Sequence, residues 1–175
     1  MGAAPRDNSL HMTTASDSAA IIAVLRERSW SIAAAESLTG GLLVSALIDT
    51  PGASRAVRGG IVAYDTRLKH SLVGVDAQLL AEHGAVHPDV ARQLADRVRL
   101  AAAIDGVPAD VGIGTTGVAG PDPQDGQPVG TVFVGISIGG TVDVVALQLE
   151  GTRDEIRRST VEQALRMLRE ALESL

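Results

Sequence analysis

The sequence predicts an α/β fold, a three-layer α/β/α sandwich around a mixed, mainly parallel sheet. Three observations carry this. Helix-period and strand-period stretches alternate through most of the chain, the pattern of layered α/β domains. Two apolar strands meet at Gly139-Gly140, a hairpin that supplies the antiparallel part. The 175 residues, 45% of them hydrophobic, suit one domain with a substantial core. Aromatics are only 2%, so that core is built from Ala, Val, Leu and Ile.

Residues 1–15 are polar and contain Gly and Pro. They read as a disordered arm, with His11-Met12 a candidate cloning junction, and the domain is assigned to 16–175. Asp17 to Arg28 is a helix with Ile21, Ile22 and Leu25 on one face and Asp17 as its cap. Ser31 to Ala35 is a short buried strand, Gly41 to Leu47 a helix, Pro51-Gly52 a turn and Gly60 to Tyr64 a strand. Short helices follow over Thr66–Val73 and Asp76–Glu82, broken at Gly74 and Gly84. Pro88 opens a helix whose face is Val90, Leu94, Val98 and Ala101. Asp110 to Thr115 is a strand, and Gly117 to Val129, with three prolines and three glycines, is a loop. Strands over Thr131–Ile138 and Val142–Leu149 form the hairpin. The last helix opens on Thr152-Arg153-Asp154-Glu155, a capping box, with Val161, Leu165, Leu168 and Leu172 along one side.

The net charge of −6 argues against a broad basic face for a phosphate backbone. No apolar run approaches the roughly 20 residues of a membrane span, and no secretory signal is visible. The absence of cysteine excludes disulfides, thiolate metal sites and a Cys nucleophile, and is compatible with a reducing cytoplasm. No H-E-x-x-H spacing suggests zinc.

Three segments at strand ends stand out. In AAAESLTGGLLVSAL a strand hands over to a helix through Glu36, Ser37, Thr39, Gly40 and Gly41. A helix N-terminus suits a phosphate or an oxyanion, and glycines admit a ligand close to the backbone. Ser37 has a nucleophile's position; equally, Thr39 could simply cap the helix. Of the four histidines, His11 lies in the arm, His83 and His87 flank a turn and His70 sits beside Lys69, so no Ser-His-Asp set stands out. Lys69 is the only lysine, and lysine is the other base that activates serine. It could act so if desolvated; otherwise it is a solvated surface group. Tyr64, the only tyrosine, could hold the lysine, donate to a leaving group or pack as an amphipathic residue. The third segment runs from Thr115-Thr116-Gly117 into the Gly/Pro loop. Ligands in α/β sheets bind beyond the carboxyl ends of strands, where all three segments lie.

Together AAESLTGG, RGGIVAYDTRLK with LVGV behind it, EHGAV, TTGVAGP and QPVGTVFVGI resemble the CinA C-terminal domain family, from about Asp17 to the C-terminus. The resemblance implies hydrolysis of the carboxamide of nicotinamide mononucleotide (NMN) to nicotinate mononucleotide and ammonia, by a Ser/Lys pair with no metal and no cofactor. It makes Ser37 the nucleophile and Lys69 the base, with Tyr64 and Thr116 as further catalytic residues. Backbone amides from Thr39 through Gly40 to Gly41, or near Thr116 at Gly117, Ala119 and Gly120, would bind the substrate or its oxyanion. Glu36 would orient Lys69, bind ribose hydroxyls or accept backbone N–H groups. Arg153, Arg157 and Arg158 match the family's basic run and would bind phosphate or form ion pairs with Asp154 and Glu162. Leu38 stands where the family usually has cysteine, which implies a change in packing. DPQDGQ is shorter than the usual loop. A stand-alone form, a cytoplasmic location, a homo-oligomer and no nucleic-acid or membrane partner are expected. The alternatives are the same machinery on another carboxamide, or a non-catalytic ligand-binding domain associated with competence and DNA damage.

Overall fold

The computed structural model describes the backbone of residues 8–175 and side chains from residue 14 onward. Five strands form one sheet in the order β2-β1-β3-β4-β5. They are β1 (Ile32–Glu36), β2 (Val57–Val62), β3 (Val111–Gly117), β4 (Thr131–Ile138) and β5 (Thr141–Gln148). β1 runs parallel to both β2 and β3, while β4 is antiparallel to β3 and β5. Four strands therefore share one direction and β4 alone opposes them. The connection between β4 and β5 is Gly139-Gly140, with φ of +59° and +94°, the left-handed pair a two-residue hairpin of this twist requires.

The helices are α1 (Asn8–Glu27), α2 (Leu42–Ile48), α3 (Thr66–Leu68), α4 (Ala77–His83), α5 (Pro88–Ala101) and α6 (Arg153–Glu173). The alternation of β1 side chains sorts them into two layers. Ile32 and Ala34 join the larger core with Ile22 and Leu25 of α1, Leu43 and Leu47 of α2, and Leu165 and Leu168 of α6. Ala33 and Ala35 face Leu80 of α4 and Val90, Leu94 and Val98 of α5. The architecture is thus α/β/α. α5 lies close on the sheet because β3 and β4 present glycine to it: a Cβ at Gly114 would lie 2.6 Å from the Ala95 nitrogen, and one at Gly135 would run into the Ala91 carbonyl. The capping box holds as expected, Thr152 N donating to Glu155 Oε2 at 2.7 Å and Glu155 N to Thr152 Oγ1 at 3.4 Å.

Four expectations are corrected. α1 begins at Asn8, so Asn8 to Ala15 is helical, whereas residues 1–7 of the expected arm lie outside the described residues. Asp17 does not cap it: its buried carboxylate accepts from Arg169 Nε of α6 at 2.8 Å. β2 starts at Val57 rather than Gly60. Its glycines mask the strand signal, yet Gly60 sits where a Cβ would meet Val44 at 3.0 Å. The helix expected over Thr66–Val73 is one α-turn followed by a π-helical stretch, Lys69–Val73, closed by Gly74 at φ +88°. Among the described residues no helix is long and apolar enough to cross a membrane.

Candidate active site

The turn between β1 and α2 is organised by Glu36. Its side chain is wholly buried, and its carboxylate accepts from the amides of Gly41 (3.0 Å), Leu43 (3.0 Å) and Val44 (2.9 Å). These are the first amides of α2, which have no partner within the helix. Of the roles open to Glu36 in sequence, the structure shows the acceptor of backbone N–H groups. The amide of Gly41, expected to face substrate, is thereby occupied. Gly40 N donates to Ser37 O at 3.1 Å, and Ser37 N donates to Thr115 O at 3.1 Å. The Thr39 and Thr115 hydroxyls share a hydrogen bond at 2.9 Å, so Thr39 ties the turn to β3 rather than capping α2. Gly40 and Gly41 adopt φ of +58° and +95°.

Lys69 is 1% exposed, the largest fully buried side chain. Nζ donates to Ala63 O at 2.8 Å and Tyr64 O at 3.2 Å. Burial lowers its pKa from 10.5 to about 8, against the opposing pull of Asp65 and Asp125. The hydrogen-bond count points the same way. A neutral amine has two N–H groups and one lone pair. Both N–H groups are matched by carbonyls, while the third proton of an ammonium would find no acceptor among the described residues. Asp65 caps α3 and is held at a pKa of about 2, chiefly by its side-chain hydrogen bonds from Arg67.

Lys69 and Ser37 are joined through the backbone, Ala63 N donating to Glu36 O at 2.8 Å while Ala63 O receives the lysine. A direct Ser37–Lys69 hydrogen bond, as a dyad would suggest, is not formed among the described residues. The lysine N–H groups are turned to the end of β2, leaving the lone-pair direction without a partner among the described residues. Tyr64 holds Lys69 with its backbone carbonyl, not its phenol. The exposed phenol oxygen accepts from Arg153 Nη2 at 2.8 Å, and Arg153 Nη1 donates to Gly120 O at 2.6 Å.

The third segment closes against the same end of the sheet. Thr116 Oγ1 donates to Ala85 O at 2.6 Å, so its hydroxyl is spent on the turn between α4 and α5. Asp125 Oδ2 accepts from Ala85 N at 2.6 Å and Val86 N at 3.3 Å, clamping that turn from the other side. Gly117 and Ala119, expected beside substrate, are explained by packing. A Cβ at Gly117 would lie 2.6 Å from Thr131 O, and Ala119 belongs to the larger core. Gly120 at φ +86° offers its carbonyl to Arg153. His87 caps α5 through Nδ1 and stacks on His83, with ring centroids 4.6 Å apart. No group of three or more His, Cys, Asp or Glu among the described residues could hold a metal ion.

Two residues of the site escaped the sequence reading or were placed differently by it. Asp125 lies in DPQDGQ, where its Asp-Gly pair is a turn signal; its φ of +51° answers to that, but nothing local connects it to Ala85. Arg157 was grouped with the phosphate candidates. Its Nε donates to Leu38 O at 2.8 Å and its Nη2 to Thr39 O at 3.1 Å. Of the three arginines only Arg158 forms an expected ion pair, with Asp154 at 2.7 Å. Glu162 pairs with Arg166 instead.

The chain as a whole resembles known proteins. Residues 14–172 match the model of the CinA C-terminal domain. A CinA-like protein of Frankia casuarinae is 44% identical over 155 residues, 89% of this chain and 35% of its own length. The chain thus spans about a third of the length of the curated relatives it matches. Among solved structures, a competence-damaged protein (CinA) superfamily protein from Klebsiella pneumoniae superposes with a TM-score of 0.86 at 27% identity, covering 93% of this chain and 99% of that one. A competence/damage inducible protein from Agrobacterium tumefaciens gives 0.84 at 30% identity, covering 99% of both. The chain belongs to the CinA C-terminal domain family.

Proposed function

We propose that this protein is an amidohydrolase that converts NMN and water to nicotinate mononucleotide and ammonia, with Ser37 as nucleophile and Lys69 as base. One observation carries the reading: a fully buried lysine whose two amine N–H groups are matched by carbonyls, one of them on Ala63, whose own amide is bonded to Glu36 O at the strand-to-helix turn that carries Ser37. In the acylation step the Ser37 oxygen bonds to the amide carbon as its proton passes to Lys69, and the carbonyl electron pair moves onto oxygen. Collapse breaks the C–N bond, and the nitrogen leaves as ammonia with the Lys69 proton. Water, losing a proton to Lys69, then attacks the ester carbonyl, and Ser37 departs reprotonated. Arg153 supports an anionic substrate, since among the described residues its guanidinium meets only the neutral Tyr64 phenol and Gly120 carbonyl. A cytoplasmic homo-oligomer completes the reading; exposed Val62, Tyr64, Leu68 and Leu72 along the β2 edge and the turn beside it favour association.

The test is ammonia and nicotinate mononucleotide release from NMN by the wild type beside Ser37→Ala. Wild-type turnover with a loss on the order of 10⁴-fold or more in a folded variant is expected. Equal activity in both would remove Ser37 as nucleophile. Silence in both would turn the search to other carboxamides or to a binding role.

A further inference from the structure

The turn that carries Ser37 is fixed from two sides. Glu36 takes the amides of Gly41, Leu43 and Val44, the Gly40 amide goes to Ser37 O, and the Ser37 amide goes to Thr115 O. Only the amides of Leu38 and Thr39 within this turn carry no hydrogen bond among the described residues. Both residues are buried, where an unpaired N–H is costly. Their carbonyls, by contrast, are both gripped by Arg157 from the first turns of α6. In a trans peptide the carbonyl and the following N–H point in opposite directions. Arg157 on Leu38 O therefore turns the Thr39 N–H away from α6. The Gly40 bond to Ser37 O likewise turns the Leu38 N–H to the side opposite that carbonyl. The residue after a nucleophile on a strand-to-helix turn is the usual oxyanion donor.

We propose that the Leu38 and Thr39 amides form the oxyanion hole for the tetrahedral intermediate at Ser37, and that Arg157 is the positioning residue that aims them rather than a ligand of the substrate. This rests on Ser37 being the nucleophile. Gly40 is part of the device: at φ +58° its Cβ position lies 3.3 Å from Arg157 Nη2, so a side chain there would press on the guanidinium.

The test uses the full chain with NMN and with the NMN thioamide, in which sulfur, a larger and poorer acceptor, replaces the carboxamide oxygen. In Arg157→Gln, kcat for NMN should fall on the order of 10²-fold with KM within about threefold, the loss expected when an oxyanion donor is misplaced. The oxygen-to-sulfur rate ratio should fall about tenfold with it. Arg157→Lys, which keeps a donor and the charge, should recover part of both, and Gly40→Ala should resemble Arg157→Gln. Arg166→Gln, a surface change on the same helix, should leave both substrates unaffected. A rise in KM at constant kcat would make Arg157 a substrate ligand and overturn the proposal. A fall in kcat with an unchanged oxygen-to-sulfur ratio would reduce it to a loop support and also overturn it. A wild type inactive on NMN would instead overturn the proposed reaction on which this inference rests, and the inference with it, before any Arg157 variant is compared.

Discussion

Two buried ionisable side chains close the ends of neighbouring parallel strands, and the chain treats them in opposite ways. Glu36 at the end of β1 is surrounded by donors: three backbone amides meet its two oxygens, and the carboxylate is solvated by peptide groups in place of water. Lys69, beyond the end of β2, meets only two carbonyls for a group that needs three acceptors when charged. The first arrangement immobilises a turn. The second makes the proton easy to give up, and burial adds to the same effect. Glu36, with donors on both oxygens, serves as scaffold; Lys69, left one acceptor short when charged, is the residue proposed as base.

The largest effect that sharpens this contrast is Lys69→Arg. A guanidinium stays protonated near neutral pH and cannot serve as a base, so NMN hydrolysis should drop on the order of 10³-fold or more. Near-normal rates would sink the assignment of Lys69. Next comes Glu36→Gln, which puts an NH₂ donor against amides that need an acceptor. Chemical denaturation should show a loss of roughly 2–3 kcal/mol, and an unchanged midpoint would show the turn to be held by other means. The wild-type pH profile follows. With Lys69 titrating at about 8, kcat/KM should rise about tenfold per pH unit below that value and level off above it. The smallest effect is on stability. The folded pKa lies below the unfolded one, so Lys69 destabilises the fold fully below pH 8 and progressively less up to 10.5. Lys69→Met should be more stable than wild type by roughly 1–2 kcal/mol at pH 7, once the two lost hydrogen bonds are counted, with the gap closing between those pH values. A gap that widens with pH would contradict the burial argument.

Much of the fold was legible because its signals are local. The capping box at Thr152 and Glu155, the Gly139-Gly140 hairpin, Pro88 at the start of α5 and the breaks at Gly74 and Gly84 each depend on residues within a few positions of one another. The site was legible as a set of strand ends and as a family likeness, but its wiring was not. Glu36 had three readings in sequence because a carboxylate before a helix can serve any of them, and burial decides. Arg157 reaches Leu38 across 119 positions and Asp125 reaches Ala85 across 40, distances over which no periodicity or motif speaks. The late start given to β2 has another cause. Gly59 and Gly60 are poor strand formers in isolation, and the need for Gly60 appears only when Val44 of α2 is placed against the sheet.

The two core clusters also differ in when their residues come into existence. Every residue of the cluster beneath α5 lies between Ala33 and Ala109. The other cluster reaches from Ile21 to Leu172, and its α6 members are the last to be made. A chain growing from its N-terminus thus holds every apolar residue of the cluster beneath α5 before α6 is made. Until α6 emerges, Ile22, Leu25, Leu43 and Leu47 have no final cover. That interval, rather than the finished protein, is when this molecule most needs protection from sticking to its neighbours.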